Sequence, residues 1–282
     1  MYKKIIIATD LSEASYELIS CLAGLKAFGA EEVLLLRCLT LQEAASIALS
    51  YSTSDLEEDL EKQKEIIEAQ GFNVETRVIT GLAKNEINKI AMKEDFSLIV
   101  VGAQKQSLVS ETFFGGLAYD VIQHSVKPVL LTRLEDKPEG EDRGVVSLPC
   151  STSNHILFPT DFSENAENAY KYLETMVMNG VKKITLVHIE DKKNEIDKND
   201  LEKLEAMKKS LLEKNNAEID TLVLIGKTAI EILKLVKELN VHLVVMGSQG
   251  LGFVKELFIG SVSNVIARNS ESSVLLVPSK KR

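Results

Sequence analysis

The chain has 282 residues, yet no apolar run in it approaches the roughly 20 residues of a membrane-crossing helix. Near the N-terminus Ile5, Ile6 and Ile7 are followed at once by Ala8, Thr9 and Asp10, which is too short for the apolar core of a signal peptide. No membrane partner is expected, and the cytoplasm is the expected address. Cysteine is scarce: Cys21, Cys38 and Cys150 form no C-x-x-C pair, and their odd number excludes a disulfide framework in favour of reduced structural thiols. The four histidines, His124, His155, His188 and His242, stand singly without i, i+4 pairing, so a metal held by protein side chains alone is not expected. Basic residues are outnumbered 33 to 42, giving a net charge of −9 with no basic stripe. Nucleic acid is therefore a poor partner. A nucleotide is not excluded, because backbone N–H groups and a helix N-terminus can hold phosphate locally.

What is present is a folded chain, 45% hydrophobic and 27% charged, long enough for two ordinary domains. A repeat supports that division. Ile5 to Glu13 reads IIIATDLSE and aligns with Ile156 to Glu164, ILFPTDFSE, at an offset of 151; the Thr-Asp-x-Ser-Glu core is identical. Leu98 to Gly102 aligns with Leu243 to Gly247, and Pro128 to Leu131 with Ser273 to Leu276, both at an offset of 145. The matching segments keep their order, as in a tandem duplication.

β-Branched and Leu-rich runs predict strands at 4–8, 33–38, 74–80, 97–101 and 128–132, and again at 155–159, 183–189, 219–225, 242–246 and 273–277. They read as strands buried on both faces. Helical periods lie between them: Ala83, Ile87, Ile90 and Ala91; Leu201, Leu204 and Leu211 with Lys208 snorkelling; Ile232, Leu235, Val236 and Leu239. Strand and helix in alternation predict an α/β fold: two tandem five-stranded parallel-sheet domains, Rossmann-like and doubly wound. The expected domains are 1–134 and 154–282, joined by a charged, Pro- and Gly-containing linker at 135–153. The charged run from Glu190 to Asp200 reads as a solvated loop leading into a helix.

In such sheets ligands sit beyond the carboxyl ends of the strands, where strand order reverses. There the second copy carries Gly247, Gly250, Gly260 and Ser261 in G-x2-G-x9-G-S spacing. Gly247 and Gly250 would let the backbone turn sharply and approach an anion closely. Gly260 opens a helix whose N–H groups, with the hydroxyls of Ser261 and Ser263, can point at phosphate. Other nucleotide signatures fail: Gly226-Lys227-Thr228 lacks the Walker glycine, since Thr221 stands there, and Asp10-Leu11-Ser12 and Asp161-Phe162-Ser163 replace the G-x-G-x-x-G fingerprint. A phosphoacceptor receiver is excluded by Thr80-Gly81 and Ile225-Gly226 after the third strands.

From Thr-Asp-x-Ser to the final Val-Leu-Leu-Val, the chain resembles the universal stress protein family, its tandem two-domain members in particular. In that family the G-x2-G-x9-G-[ST] motif marks the ATP-binding branch. The resemblance implies a regulatory stress-response protein holding ATP, ADP or AMP, with Mg2+ carried by the nucleotide. It implies adenosine contacts from Asp161 and the Ile189 backbone over a floor of Pro159 and Thr160. Met246, Gly247, Gly250, Gly260, Ser261, Val262 and Ser263 would surround ribose and phosphates. The alternative is slow ATP hydrolysis or phosphoryl transfer at the same site, for which no base or arginine finger stands out; Lys255 is the only cation in the loop. The first copy departs from the motif: Lys105 replaces Gly250, Gly115 matches Gly260, Gly116 replaces Ser261, and Glu111 lies nearby. It is expected not to bind ATP, with Asp10 serving as a cap. His188 is expected to be a hydrogen-bonded structural residue and Cys38 a core residue. In that family the last strand often forms the dimer contact, which implies that Val129, Leu130 and Leu131 pair with Val274, Leu275, Leu276 and Val277 to make the two halves an intramolecular pseudo-dimer, with a further homodimer left open.

Overall fold

A computed structural model describes residues 3–20, 22–50, 53–104, 116–134, 155–191, 197–250 and 259–279. The linker 135–153, Cys21, Cys150, Lys105, Glu111, Gly115 and Lys255 lie outside the described residues. The chain divides into two compact units, Met1–Val145 and Val146–Arg282.

In the first unit the strands are β1 (Lys4–Thr9), β2 (Glu32–Leu39), β3 (Asn73–Thr80), β4 (Leu98–Gln104) and β5 (Val129–Leu134). Between them run α1 (Glu13–Ser20), a 3-10 segment (Leu22–Phe28), α2 (Leu41–Ser50), α3 (Thr53–Ala69), α4 (Ala83–Lys93) and α5 (Gly116–His124). The second unit has β6 (His155–Pro159), β7 (Lys183–Glu190), β8 (Glu218–Ile225), β9 (Leu243–Gly247) and β10 (Ser273–Val277). Its helices are α6 (Glu164–Met178), α7 (Lys198–Leu212), α8 (Thr228–Glu238) and α9 (Ser261–Asn269). Strand order is β3-β2-β1-β4-β5 in one unit and β8-β7-β6-β9-β10 in the other, and the pairs within each are parallel. All ten strands stand where the apolar runs predict them, within a few residues at each end.

The central strands carry the core. Ile5, Ile6, Ile7, Ile156, Leu157 and Phe158 are fully buried, so each strand needs helices on both faces. The terminal strands β3 and β8 depart from the buried pattern. Much of each is half-buried or exposed, because the sheet gives them a neighbour on one side only.

Two inward-turned residues correct the reading of α7. The apolar period places Leu201 in the core, but Leu201 is 43% exposed and Asp200 only 6%. The helix is rotated so that Asp200, Leu204 and Leu211 face inward. Glu190, at the other end of the charged run, is also mostly covered, so the run is not solvated at its two ends, although Asp191 and Asp197 are exposed. Cys38 is buried as expected, and burial pushes its thiol up to about 11. Among the described residues no helix is long and apolar enough to cross a membrane.

His155, at the start of β6, is 5% exposed. Its Nδ1 lies 3.0 Å from the carbonyl oxygen of Leu239, which can only accept, so Nδ1 donates. Nε2, 2.8 Å from Thr185 Oγ1, is then the acceptor of a neutral imidazole. Burial is the main cause of its lowered pKa. A histidine harder to protonate when folded contributes stability that is complete above its ordinary value of about 6.5 and is lost as pH falls below it.

Two expectations follow for denaturant unfolding. Leu204→Ala should cost about 2–5 kcal/mol and Leu201→Ala less than about 0.5 kcal/mol; equal losses would contradict the rotation of α7. Between pH 7 and 5 the native chain should lose stability more steeply than His155→Gln, whereas parallel curves would mean that His155 is not the buried neutral group.

Candidate functional site

In the second unit strand order reverses between β6 and β9, and a cavity of about 540 Å³ opens beyond their carboxyl ends. It receives Pro159, Thr160 and Asp161 from the end of β6, Ile189 from β7, and Met246, Gly247 and Gly250 from β9 and its following loop. Gly260, Ser261, Val262 and Ser263 come from the start of α9. All eleven residues named from the sequence thus line one cavity of the size that small-molecule sites have.

The Thr-Asp-x-Ser-Glu segment shapes its floor through local hydrogen bonds. Thr160 Oγ1 accepts from the N–H of Phe162 at 3.0 Å, and Asp161 Oδ1 accepts from that of Ser163 at 3.1 Å. Ser163 Oγ caps α6 by accepting from Ala166 N–H at 3.2 Å. Phe162 is held at φ 58°, a left-handed conformation unusual for an aromatic residue. The first unit repeats the device: Thr9 Oγ1 accepts from Leu11 N–H, Asp10 Oδ1 from Ser12 N–H, and Leu11 has φ 64°. The cap of α1 is Ser12, whose Oγ accepts from Ser15 N–H, so Asp10 is not the helix cap that the sequence suggests.

The glycines act by close approach. The backbone bends at Ser248 and Gln249 between Gly247 and Gly250, but neither glycine has a left-handed φ, so it is space rather than backbone conformation that calls for glycine here. A Cβ on Gly250 would stand 2.6 Å from Asp161 Oδ2, inside contact distance. One on Gly247 would meet the Asn165 side chain at 3.1 Å and its backbone at 3.2 Å. Asn165, which sequence reasoning did not single out, donates from Nδ2 to the Gln249 carbonyl at 2.8 Å and so anchors the loop after β9 to α6. The repeat alignment carried a signal for it, since its counterpart in the first copy is Ala14.

Gly260 donates to the Ser248 carbonyl at 2.7 Å and is the N-cap of α9 without a side-chain cap. The first N–H groups of α9 therefore face the cavity with no intrahelical acceptor, as in anion sites at helix starts. Ser261 is exposed at the mouth. Ser263 is not arranged as the sequence suggests: its hydroxyl, 3% exposed, donates to the Gly247 carbonyl at 2.9 Å and holds α9 to the end of β9.

Among the described lining residues there are three carboxylates, Asp161, Glu190 and Asp191, and no lysine or arginine. The apolar wall is made by Val187, Ile189, Ile232, Met246 and Ile259. His188, also on the wall, is hydrogen-bonded from Nδ1 to the Thr160 carbonyl at 2.8 Å, which agrees with its expected structural role.

The equivalent place in the first unit is filled differently. Thr9, the counterpart of Thr160, donates from Oγ1 to Gln63 Oε1 at 2.8 Å, and Gln63 is fully buried. Arg37 replaces His188 and donates to the carbonyl of Cys38, the counterpart of Ile189, at 3.0 Å and to Glu43 at 2.7 Å. Ser15, where the second unit has Ala166, donates to Asp10 Oδ1 at 2.5 Å.

Comparison with known proteins agrees with the repeat. The model of the universal stress protein family matches residues 1–133 and again 152–278. A universal stress protein of Methanocaldococcus jannaschii is 28% identical over 155 residues, 47% of this chain and 96% of its own length. Universal stress protein YxiE of Bacillus subtilis is 35% identical over 103 residues, 36% of this chain and 69% of its own. The crystal structure of a universal stress protein from Archaeoglobus fulgidus covers 99% of this chain and 97% of its own with a TM-score of 0.76 at 23% identity, a likeness of fold. With two copies of the family's domain accounting for nearly all of its residues, the chain belongs to the universal stress protein family.

Proposed function

We propose that the second unit, with residues 154–282 as its domain, binds an adenine nucleotide, and that the bound state rather than turnover carries the signal of a regulatory stress-response protein. The observation that carries this reading is the gathering of the whole G-x2-G-x9-G-S motif and Asp161 around one cavity at the switch point. The apolar wall suits a purine, Asp161 can accept from ribose hydroxyls, and the start of α9 offers N–H groups to phosphate. With three carboxylates and no cation among the described lining residues, a polyphosphate is best bound as its Mg2+ complex. The first unit, with 1–134 as its domain, is read as a partner that does not bind. Gln63 occupies the hydroxyl of Thr9, Arg37 the carbonyl of Cys38, and Ser15 the carboxylate of Asp10.

Denaturing freshly purified protein and identifying what is released should give one adenine nucleotide per chain. None, together with no ATP-dependent shift in melting, would refute the reading, and two would refute the asymmetry. The contact of Gly250 with Asp161 supplies a sharper test. Gly250→Ala should weaken ATP at least tenfold, about 1.4 kcal/mol, because the new Cβ displaces the carboxylate. In an Asp161→Ala background the same change should cost little, since the group it displaces is gone. Additive losses in this cycle would show that Gly250 acts independently of Asp161.

A further inference from the structure

We propose that His188, Glu190 and Asp200 form a binding site for a divalent transition-metal ion of the zinc class beside the cavity of the second unit. The three donors come from two elements. His188 and Glu190 are two residues apart on β7 and project to the same side, and Asp200 is the residue of the first turn of α7 that faces inward. Their ligand atoms all lie within 4.8 Å of one another. His188 Nε2 is 3.5 Å from Glu190 Oε1 and 3.8 Å from Asp200 Oδ2. Those separations are too long for direct hydrogen bonds to the imidazole. They are close to the roughly 3.4 Å between donor atoms bound about 2.0–2.2 Å from a tetrahedral zinc.

The surroundings prepare each donor for a cation. His188 Nδ1 faces the Thr160 carbonyl at 2.8 Å and must donate to it, which leaves Nε2 to the carboxylates. A ring N–H donated to a backbone carbonyl is the usual support of a metal-bound histidine. Asp200 divides its oxygens: Oδ1 accepts from Lys203 Nζ at 2.9 Å, and Oδ2 turns toward His188. Lys203 is itself placed over the Phe162 ring, 4.6 Å from its centroid, and that ring lies 4.7 Å from the His188 ring. The three side chains are only 9–12% exposed, so the two carboxylates, with Lys203 paired to Asp200, lie in a poorly hydrated pocket. Three protein donors would leave a coordination position for water or a ligand, and His188 and Glu190 also line the cavity. The first unit carries Arg37 and Leu39 at the places of His188 and Glu190, so two of the three donors have no counterpart there.

The test uses the full chain freed of nucleotide and treated with chelator, so that its outcome is independent of the nucleotide reading. Zn2+ added and then desalted should remain at one per chain. Co2+ in its place should give the visible absorption of a four- or five-coordinate ion. Glu190→Gln and Asp200→Asn, each first shown to be folded by its own cooperative melting transition, should each weaken Zn2+ at least tenfold. No retained zinc, or zinc held by both variants as tightly as by the unsubstituted chain, would overturn the proposal and leave the trio as an ion pair between imidazolium and carboxylates. Should a variant fail to fold, the stoichiometry and cobalt spectrum of the unsubstituted chain decide the matter: less than one zinc per chain, or only a six-coordinate cobalt spectrum, overturns it.

Discussion

Parallel strands cannot turn directly into one another, and this constraint governs both units. Each strand must be followed by a crossover that returns the chain to the same edge, so helices cover both faces and the strands between them lose contact with water. Ile5 to Ile7 and Ile156 to Phe158 are fully buried for this reason. The same constraint makes the cavity. After β6 one crossover leaves toward β7, and after β9 another leaves toward β10, so the chain parts above two neighbouring strands, where the cavity lies.

Within that gap the decisive contacts are made by small residues. Gly250 is close enough to Asp161 that no side chain fits between them, and Gly247 is close enough to Asn165 that the asparagine can reach the Gln249 carbonyl. Loop and floor are thus held together by the absence of two methyl-sized groups and the presence of one amide. The first unit keeps the floor, with the same hydroxyl and carboxylate bonds around Leu11, but there Thr9 donates to Gln63, and Asp10 and the Cys38 carbonyl accept from Ser15 and Arg37. Duplication has kept the turn that folding requires while the groups facing the gap have diverged.

The charged run between β7 and α7 shows how burial can override composition. A stretch of Asp, Glu and Lys reads as solvated, yet Glu190 and Asp200 at its two ends turn inward to meet His188. Their charges are tolerable there because Lys203, packed over Phe162, stands against Asp200. The left-handed turn at Phe162, fixed by Thr160 and Asp161, is what brings that ring between the lysine and the histidine.

The sequence by itself determined the duplication, the strand positions, the α/β class and the eleven residues that share the cavity. Each depends on local periodicity or on motif spacing along one chain. Only the tertiary structure decided the rotation of α7, the commitment of the Ser263 hydroxyl to Gly247, the anchoring role of Asn165 and the grouping of His188, Glu190 and Asp200. These depend on which partner a side chain meets across elements tens of residues apart. An apolar period with Leu201 and Leu204 adjacent fits two rotations of a helix equally well. A serine at a helix start can face a ligand or a strand end, and packing alone chooses between them.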